Sequence, residues 1–309
     1  MNILVACLGG TVSSRTNSDG VMCSGEFKFN SSFFEKIMKG PNYRIIEPVC
    51  YASENATLAD YRAALKGIYD AVGQDRPDAI LILHGTDSMA YFAQLAVRVL
   101  SILKLPVVIT GSKLPQDAPG SDAPGNLRMA LGLLDAAVEG KTQNRTFGVV
   151  FEDSFTRTAS FVPAQQIMTS DIKGDHKAFD CDREDFSAAK YVKPAVDFMM
   201  RETSENDNIL LIPASPSFPF EAVSDTGYGP VLISCYHCGT VDSIRLPAFI
   251  SRVSAAGHKV YMAPIPQRRK MGKKDVVYQS TASLRGAEVK ELPGMPLEGA
   301  WAELAFYGQ

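Results

Sequence analysis

The chain predicts an α/β fold with a parallel sheet, in a larger N-terminal domain and a smaller C-terminal one. Three observations carry this. The apolar runs are short and continuous, as in Asn2–Gly10 "NILVACLGG" and Asp78–Gly85 "DAILILHG". Amphipathic stretches of helical length separate them. A tract mixing Pro, Ser, Asn and charge then interrupts the series before it resumes. Continuous Val/Ile/Leu runs alternating with helices mark strands buried on both faces. A length of 309 residues suffices for one large domain or two ordinary ones.

The elements follow in order. Residues 2–10 read as the first strand. Residues 55–73 place Leu58, Tyr61, Leu65, Ile68 and Tyr69 at helical spacing. Strand 78–85, helix 88–103, strand 106–112, helix 123–140 and strand 146–152 complete the first series. Residues 1–185 are thus the expected N-terminal domain. Residues 186–226 are the expected linker, with "NILLIPA" at 208–214 as a candidate strand inside it. Residues 227–309 form the expected C-terminal domain: strand 230–240, helix 247–257, strand 258–265 and a closing helix over 298–308.

Composition narrows the function. Apolar residues make up 46% and charged residues 21%, with a net charge of −3. That balance gives no basic surface for nucleic acid and no membrane-binding face. No apolar run approaches the roughly 18–20 residues that span a bilayer. The N-terminus lacks a signal peptide's basic start and cleavage site, and most of the six cysteines are scattered, so a cytoplasmic protein with reduced thiols is expected. Cys235-Tyr-His-Cys238 has C-x-x-C spacing but no second ligand pair elsewhere, so no metal and no cofactor is expected. The basic run Arg268-Arg269-Lys270, with Lys273 and Lys274, reads as a solvated loop.

Ligands of open parallel sheets bind outside the carboxyl ends of the strands. Polar residues collect there. The first strand ends in Gly9-Gly10-Thr11. Ser53-Glu54-Asn55 precedes the first helix. The 78–85 strand runs into Gly85-Thr86-Asp87, and the 106–112 strand into Gly111-Ser112. Thr86 or Asp87 is expected to cap the following helix. Two threonine hydroxyls, a serine, a carboxylate and free N–H groups are the inventory of nucleophilic acyl transfer. No Cys-His or Ser-His-Asp spacing competes, and His84 reads as structural.

These segments resemble the bacterial-type L-asparaginases. Gly9-Gly10-Thr11-Val12 is similar to that family's first signature, and His84-Gly85-Thr86-Asp87-Ser88-Met89 to its second. Thr110-Gly111-Ser112, Ser121-Asp122 and Asn126-Leu127 match a third block, and "YHCGT" at 236–240 a segment opening the C-terminal domain. The resemblance implies a flavodoxin-like smaller domain. It also implies an amidohydrolase releasing ammonia from L-asparagine or a close analogue. Thr11 would be the nucleophile, Thr86 would activate it or water, and Asp87 with Ser53 would bind the substrate's α-amino and α-carboxylate groups. Glu54 would add a contact to the α-amino group, the backbone around Gly10, Thr86 and Ser112 would frame the oxyanion, and Gly85 would also line the substrate. The resemblance further implies a homodimer or homotetramer. The related amidotransferase subunits carry an extra N-terminal domain, whereas this chain starts at the first strand, so that role is not expected.

Two family residues have no counterpart by simple count. Counting back from Phe179 puts Ser170 where the family has lysine, with Lys173 and Lys177 nearby. The loop tyrosine falls near Val21, and no tyrosine occurs between Thr11 and Tyr43. Three readings therefore stay open: an amidohydrolase, an asparaginase-like amino-acid-binding or regulatory protein with little turnover, and an amidase for a different amide.

Overall fold

A computed structural model describes residues 1–16, 22–23, 35–37, 40–116, 118–141, 147–151, 154–157, 189–236, 239–265, 270–271, 274–275, 278–282, 284 and 287–308. The chain divides into two units, Met1–Arg201 and Glu202–Gln309.

The first unit is built on β1 (Asn2–Cys7), a short hairpin of β2 (Arg15–Thr16) and β3 (Met22–Cys23), β4 (Asn42–Ile46), α1 (Leu58–Asp75), β5 (Ala79–Leu83) and α2 (Met89–Leu100). It continues with β6 (Val107–Thr110), α3 (Ala123–Val138), β7 (Phe147–Phe151), β8 (Ser154–Arg157) and α4 (Ala189–Met200). Its main sheet has the order β4-β1-β5-β6-β7-β8. All pairs are parallel except β7–β8, an antiparallel hairpin edge. The continuous apolar runs of β1 and β5 are explained by burial on both faces. Ile3, Val5, Cys7, Leu81 and Leu83 pack with Ala123, Leu127, Ala130 and Leu134 of α3. Leu4, Ile80 and Ile82, equally buried, alternate to the other face. Helices α1, α2 and α4 pack against one another.

The strand order reverses at β1. The chain leaves β1 toward β4, returns to β5 on the other side, and proceeds outward to β6 and β7. The carboxyl ends of β1 and β5 are therefore a topological switch point, where neighbouring connections diverge and leave a crevice.

The second unit holds β9 (Leu210–Ile212), β10 (Val231–Ser234), α5 (Leu246–Ala255), β11 (Val260–Ile265), the hairpin strands β12 (Lys270–Met271) and β13 (Lys274–Asp275), α6 (Gln279–Ala282), β14 (Val289–Pro293) and α7 (Leu297–Tyr307). Its sheet, β14-β11-β10-β9, is parallel throughout. One face packs Val231, Ile233 and Met262 on Phe249, Ile250 and Val253 of α5. The other packs Leu232, Tyr261 and Ala263 on Ala300 and Leu304 of α7. Two parallel-sheet α/β units, the larger first, are the fold class that the sequence implies. The stretch read as a linker, 186–226, carries α4 and β9, and the division between units falls after Arg201. Among the described residues no helix is long and apolar enough to cross a membrane.

Glu298 stands in the first turn of α7 with only 2% of its surface exposed. Burial raises its carboxyl from 4.5 to about 7, against a smaller lowering by its own backbone N–H. A raised folded value means that the stability Glu298 contributes is complete below the unfolded value of 4.5. It is lost as pH rises through 7. Glu298→Gln should therefore match the parent in urea midpoint near pH 4 and exceed it near pH 8 by the equivalent of a few kcal/mol. A midpoint difference that does not grow with pH would contradict this assignment.

Candidate active site

The two loops of the switch point touch backbone to backbone. Gly10 adopts φ of 82°, and a Cβ there would lie 2.3 Å from Gly85 Cα. A Cβ on Gly85 would lie 2.5 Å from Ser53 Oγ and 3.2 Å from Gly10 Cα. Only residues without a Cβ permit this approach. The contact places Thr11 and Thr86, the residues that follow, beside the same crevice, and both are partly exposed. Thr11 opens a single 3-10 turn, Thr11–Ser13, in which Ser13 N–H donates to Gly10 O at 3.0 Å and Ser14 Oγ donates to it at 2.9 Å.

Ser53 belongs to a second 3-10 turn, Ser53–Asn55, which lies against the start of α2. Ser53 Oγ donates to Asp87 Oδ2 at 3.0 Å, and Asp87 N–H donates back to Ser53 Oγ at 3.3 Å. Ser88 Oγ donates to Ser53 O at 2.6 Å. Ser53 is buried, whereas Asp87 and Glu54 are exposed. Capping therefore does not explain the Thr86-Asp87 pair. The N-cap of α2 is Ser88, which makes no side-chain cap bond, and the Asp87 carboxylate is turned to Ser53 instead. The cap expected at Thr86 or Asp87 is not formed, because the helix begins after Ser88, beyond both residues.

Beneath the crevice His84 is wholly buried. Its Nδ1 lies 2.6 Å from Gly85 O, and its Nε2 lies 3.1 Å from the Tyr51 hydroxyl. A carbonyl only accepts, so Nδ1 carries the proton and Nε2 accepts from Tyr51. The ring stacks on Phe92 at 4.6 Å and meets Tyr51 edge-on at 5.5 Å. Tyr51 is tied in turn to the first loop: its N–H donates to Leu8 O at 3.2 Å, and it bridges Gly9. Tyr51 has no motif signature, and sequence reasoning missed it; its place two residues before Ser53 is the one signal that pointed there. Burial lowers the His84 imidazole from 6.5 to about 4, opposed by the Gly85 carbonyl and Asp87.

Ser112, at the end of β6, is buried and donates to Leu114 O at 2.6 Å. Its loop wraps the Asp122 carboxylate, which accepts from Lys113 N–H at 3.0 Å, Leu114 N–H at 3.2 Å and Asn126 Nδ2 at 3.0 Å. Asn126 Nδ2 also donates to Gly111 O at 3.0 Å. A Cβ on Gly111 would lie 2.4 Å from His84 O, so this third loop abuts the second. The structure thus brings Thr11, Thr86, Gly10, Gly85, Ser53 and Asp87 together, with Ser112 on the next strand and Glu54 beside Ser53. Ser170, Lys173, Lys177 and Val21 lie outside the described residues, as does Cys238. Cys235 is a buried thiol at the end of β10, pushed up to about 12 by burial and then by Glu291.

Two outcomes follow from this geometry. Gly10→Ala should destabilise the first unit by several kcal/mol, since both its φ and its 2.3 Å approach forbid a Cβ; an unchanged melting temperature would refute the contact. A depressed His84 value means that its stability contribution is complete above 6.5 and is lost as pH falls toward 4, up to about 3 kcal/mol. His84→Asn keeps a donor for Gly85 O but does not titrate. It should flatten the acid side of the stability curve, and a curve unchanged in shape would count against the assigned tautomer.

Comparison with known proteins identifies the family and the fold. The family model "Asparaginase, N-terminal" matches residues 2–171, more than half of the chain. An L-asparaginase of Thermococcus kodakarensis is 49% identical over 57 residues, 18% of this chain and 17% of that protein. L-asparaginase 1 of Escherichia coli is 32% identical over 135 residues, 42% of this chain and 39% of that protein. The chain thus spans at most about two fifths of the length of these curated relatives. Over 99% of this chain and 94% of the other, the fold is similar to the solved structure of a probable cytoplasmic L-asparaginase from Campylobacter jejuni, with a TM-score of 0.71 at 16% identity. The signature loops, the two-unit fold and the family match lead to one conclusion: the chain belongs to the asparaginase family.

Proposed function

We propose that the protein is an amidohydrolase that releases ammonia from L-asparagine or a close analogue, with Thr11 as nucleophile. One observation carries this reading: the Gly10–Gly85 contact, which sets two threonine hydroxyls at one crevice beside the Ser53–Asp87 pair. The Asp87 carboxylate, held by the Ser53 hydroxyl, receives the substrate's ammonium through a charge-assisted bond. The free N–H groups at the start of α2 favour the α-carboxylate. Glu54 adds a second negative charge on the ammonium side. Thr11 Oγ attacks the side-chain amide carbon and gives up its proton, ammonia leaves with a proton, and water cleaves the resulting ester to release the acid. Thr86 positions the nucleophile or that water. N–H groups around Gly10, Gly85 and Ser112 meet the oxygen that becomes negative.

Oligomer formation belongs to the same reading. Exposed apolar side chains in the second unit, Ile244 at 88% and Tyr278 at 57%, are consistent with a homodimer or homotetramer. A sedimentation mass of one chain at micromolar concentration would argue against it.

A second reading is an amino-acid-binding protein with little turnover. The count that places Ser170 at the family's lysine favours it, because a threonine without a positioned base loses roughly 10²–10⁴-fold. Ammonia release from L-asparagine, L-glutamine and simple amides decides between them. The enzyme reading expects turnover that Thr11→Ala reduces at least about 10²-fold. Aspartate binding without ammonia release would support the binding protein instead. In either case Asp87→Ala should weaken L-aspartate binding by about 1.5–3 kcal/mol in calorimetric titration. Equal affinity in parent and variant would remove Asp87 from the site.

A further inference from the structure

Three peptide units at the carboxyl edge of the larger sheet share one construction. Each joins a glycine to a hydroxyl residue: Gly10–Thr11, Gly85–Thr86 and Gly111–Ser112. In each, a buried side chain donates to the glycine carbonyl. Ser14 Oγ reaches Gly10 O at 2.9 Å, His84 Nδ1 reaches Gly85 O at 2.6 Å, and Asn126 Nδ2 reaches Gly111 O at 3.0 Å. These donors are 1%, 0% and 2% exposed. They lie four, one and fifteen residues from their glycines, so no single local motif accounts for all three.

A trans peptide is planar, with its C=O and N–H pointing in opposite directions. Holding a carbonyl from the buried side therefore turns the next residue's N–H away from the interior. The strands concerned, β1, β5 and β6, are adjacent in the sheet, at the usual spacing of about 4.8 Å. We propose that Ser14, His84 and Asn126 are positioning residues that aim the N–H groups of Thr11, Thr86 and Ser112 as a row of donors for the oxygen that becomes negative on the substrate's amide carbon. This rests on the amidohydrolase reading. None of the three side chains touches substrate; each acts through the peptide it holds. The device pre-orients the donors before substrate arrives, which is what makes such donors effective in a transition state. Ser13 N–H shares the Gly10 carbonyl, and the Tyr51 hydroxyl keeps the His84 proton on Nδ1, so two of the three holds have a second support.

The test compares donor-removing and donor-keeping variants by amide NMR and by steady-state kinetics. His84→Leu and Asn126→Leu remove a donor, whereas His84→Asn and Ser14→Thr keep one. The proposal expects the Thr86 amide resonance to move in His84→Leu and to return near its parent position in His84→Asn. The Ser112 amide moves in Asn126→Leu and not in Ser14→Thr. Each donor-removing variant lowers kcat by about tenfold with a smaller change in KM. Unmoved amide resonances, a His84→Leu variant equal to His84→Asn in kcat, or an Asn126→Leu variant equal to the parent in kcat, would overturn the proposal. If a His84 variant fails to fold, Asn126→Leu decides alone on the Ser112 amide. A parent without turnover contradicts the amidohydrolase reading. The amide resonances, followed with and without L-aspartate, then still decide whether the three side chains set the donors.

Discussion

The close approach of Gly10 and Gly85 is the constraint on which the rest of the first unit's site depends. Two loops leave neighbouring strands at the point where the sheet's connections diverge, and they meet with no side chain between them. A sheet alone sets strand ends about 4.8 Å apart but not the loops that follow. Here the glycines let the loops converge, and the hydroxyl residues after them inherit that convergence. The third loop joins because Gly111 packs on the His84 carbonyl in the same way.

Buried polar bonding supports this meeting alongside the packing of the His84 ring on Phe92 and Tyr51. His84 is buried as a neutral ring, since burial opposes its charged form. Its two nitrogens are satisfied by one acceptor and one donor, Gly85 O and the Tyr51 hydroxyl, which makes the neutral ring tolerable and fixes its orientation. Tyr51 links that ring to the backbone of the first loop, and Ser53, two residues on, links the same segment to Asp87. The chain between β4 and α1 is thus the strut that couples the loops of Thr11 and Thr86.

The sequence made the strands that hold the site easy to read, because β1, β5, β6 and β7 are buried on both faces and appear as unbroken apolar runs. Two edge strands, β4 and β14, are harder to read. β4 is "NYRII" and β14 is "VKELP", short and half-polar because one side of each lacks a neighbour. Helix α4 was hidden by Pro194, which reads as a breaker yet lies inside it. The site showed the same split. Glycine-hydroxyl pairs at strand ends were visible as Thr11, Thr86 and Ser112. Tyr51 was not, because its role depends on a register between β1 and the chain after β4 that no local pattern encodes. The hydrogen bond of the Asp87 carboxylate is hidden from sequence for a related reason: its partner Ser53 lies 34 residues away.

The most direct test of the account is a crystal structure with L-aspartate, the product of the proposed reaction. The account places the side-chain carboxylate between the hydroxyls of Thr11 and Thr86, and the ammonium on the Asp87 carboxylate. Aspartate bound away from the Gly10–Gly85 contact, or bound there with its ammonium turned from Asp87, would contradict it.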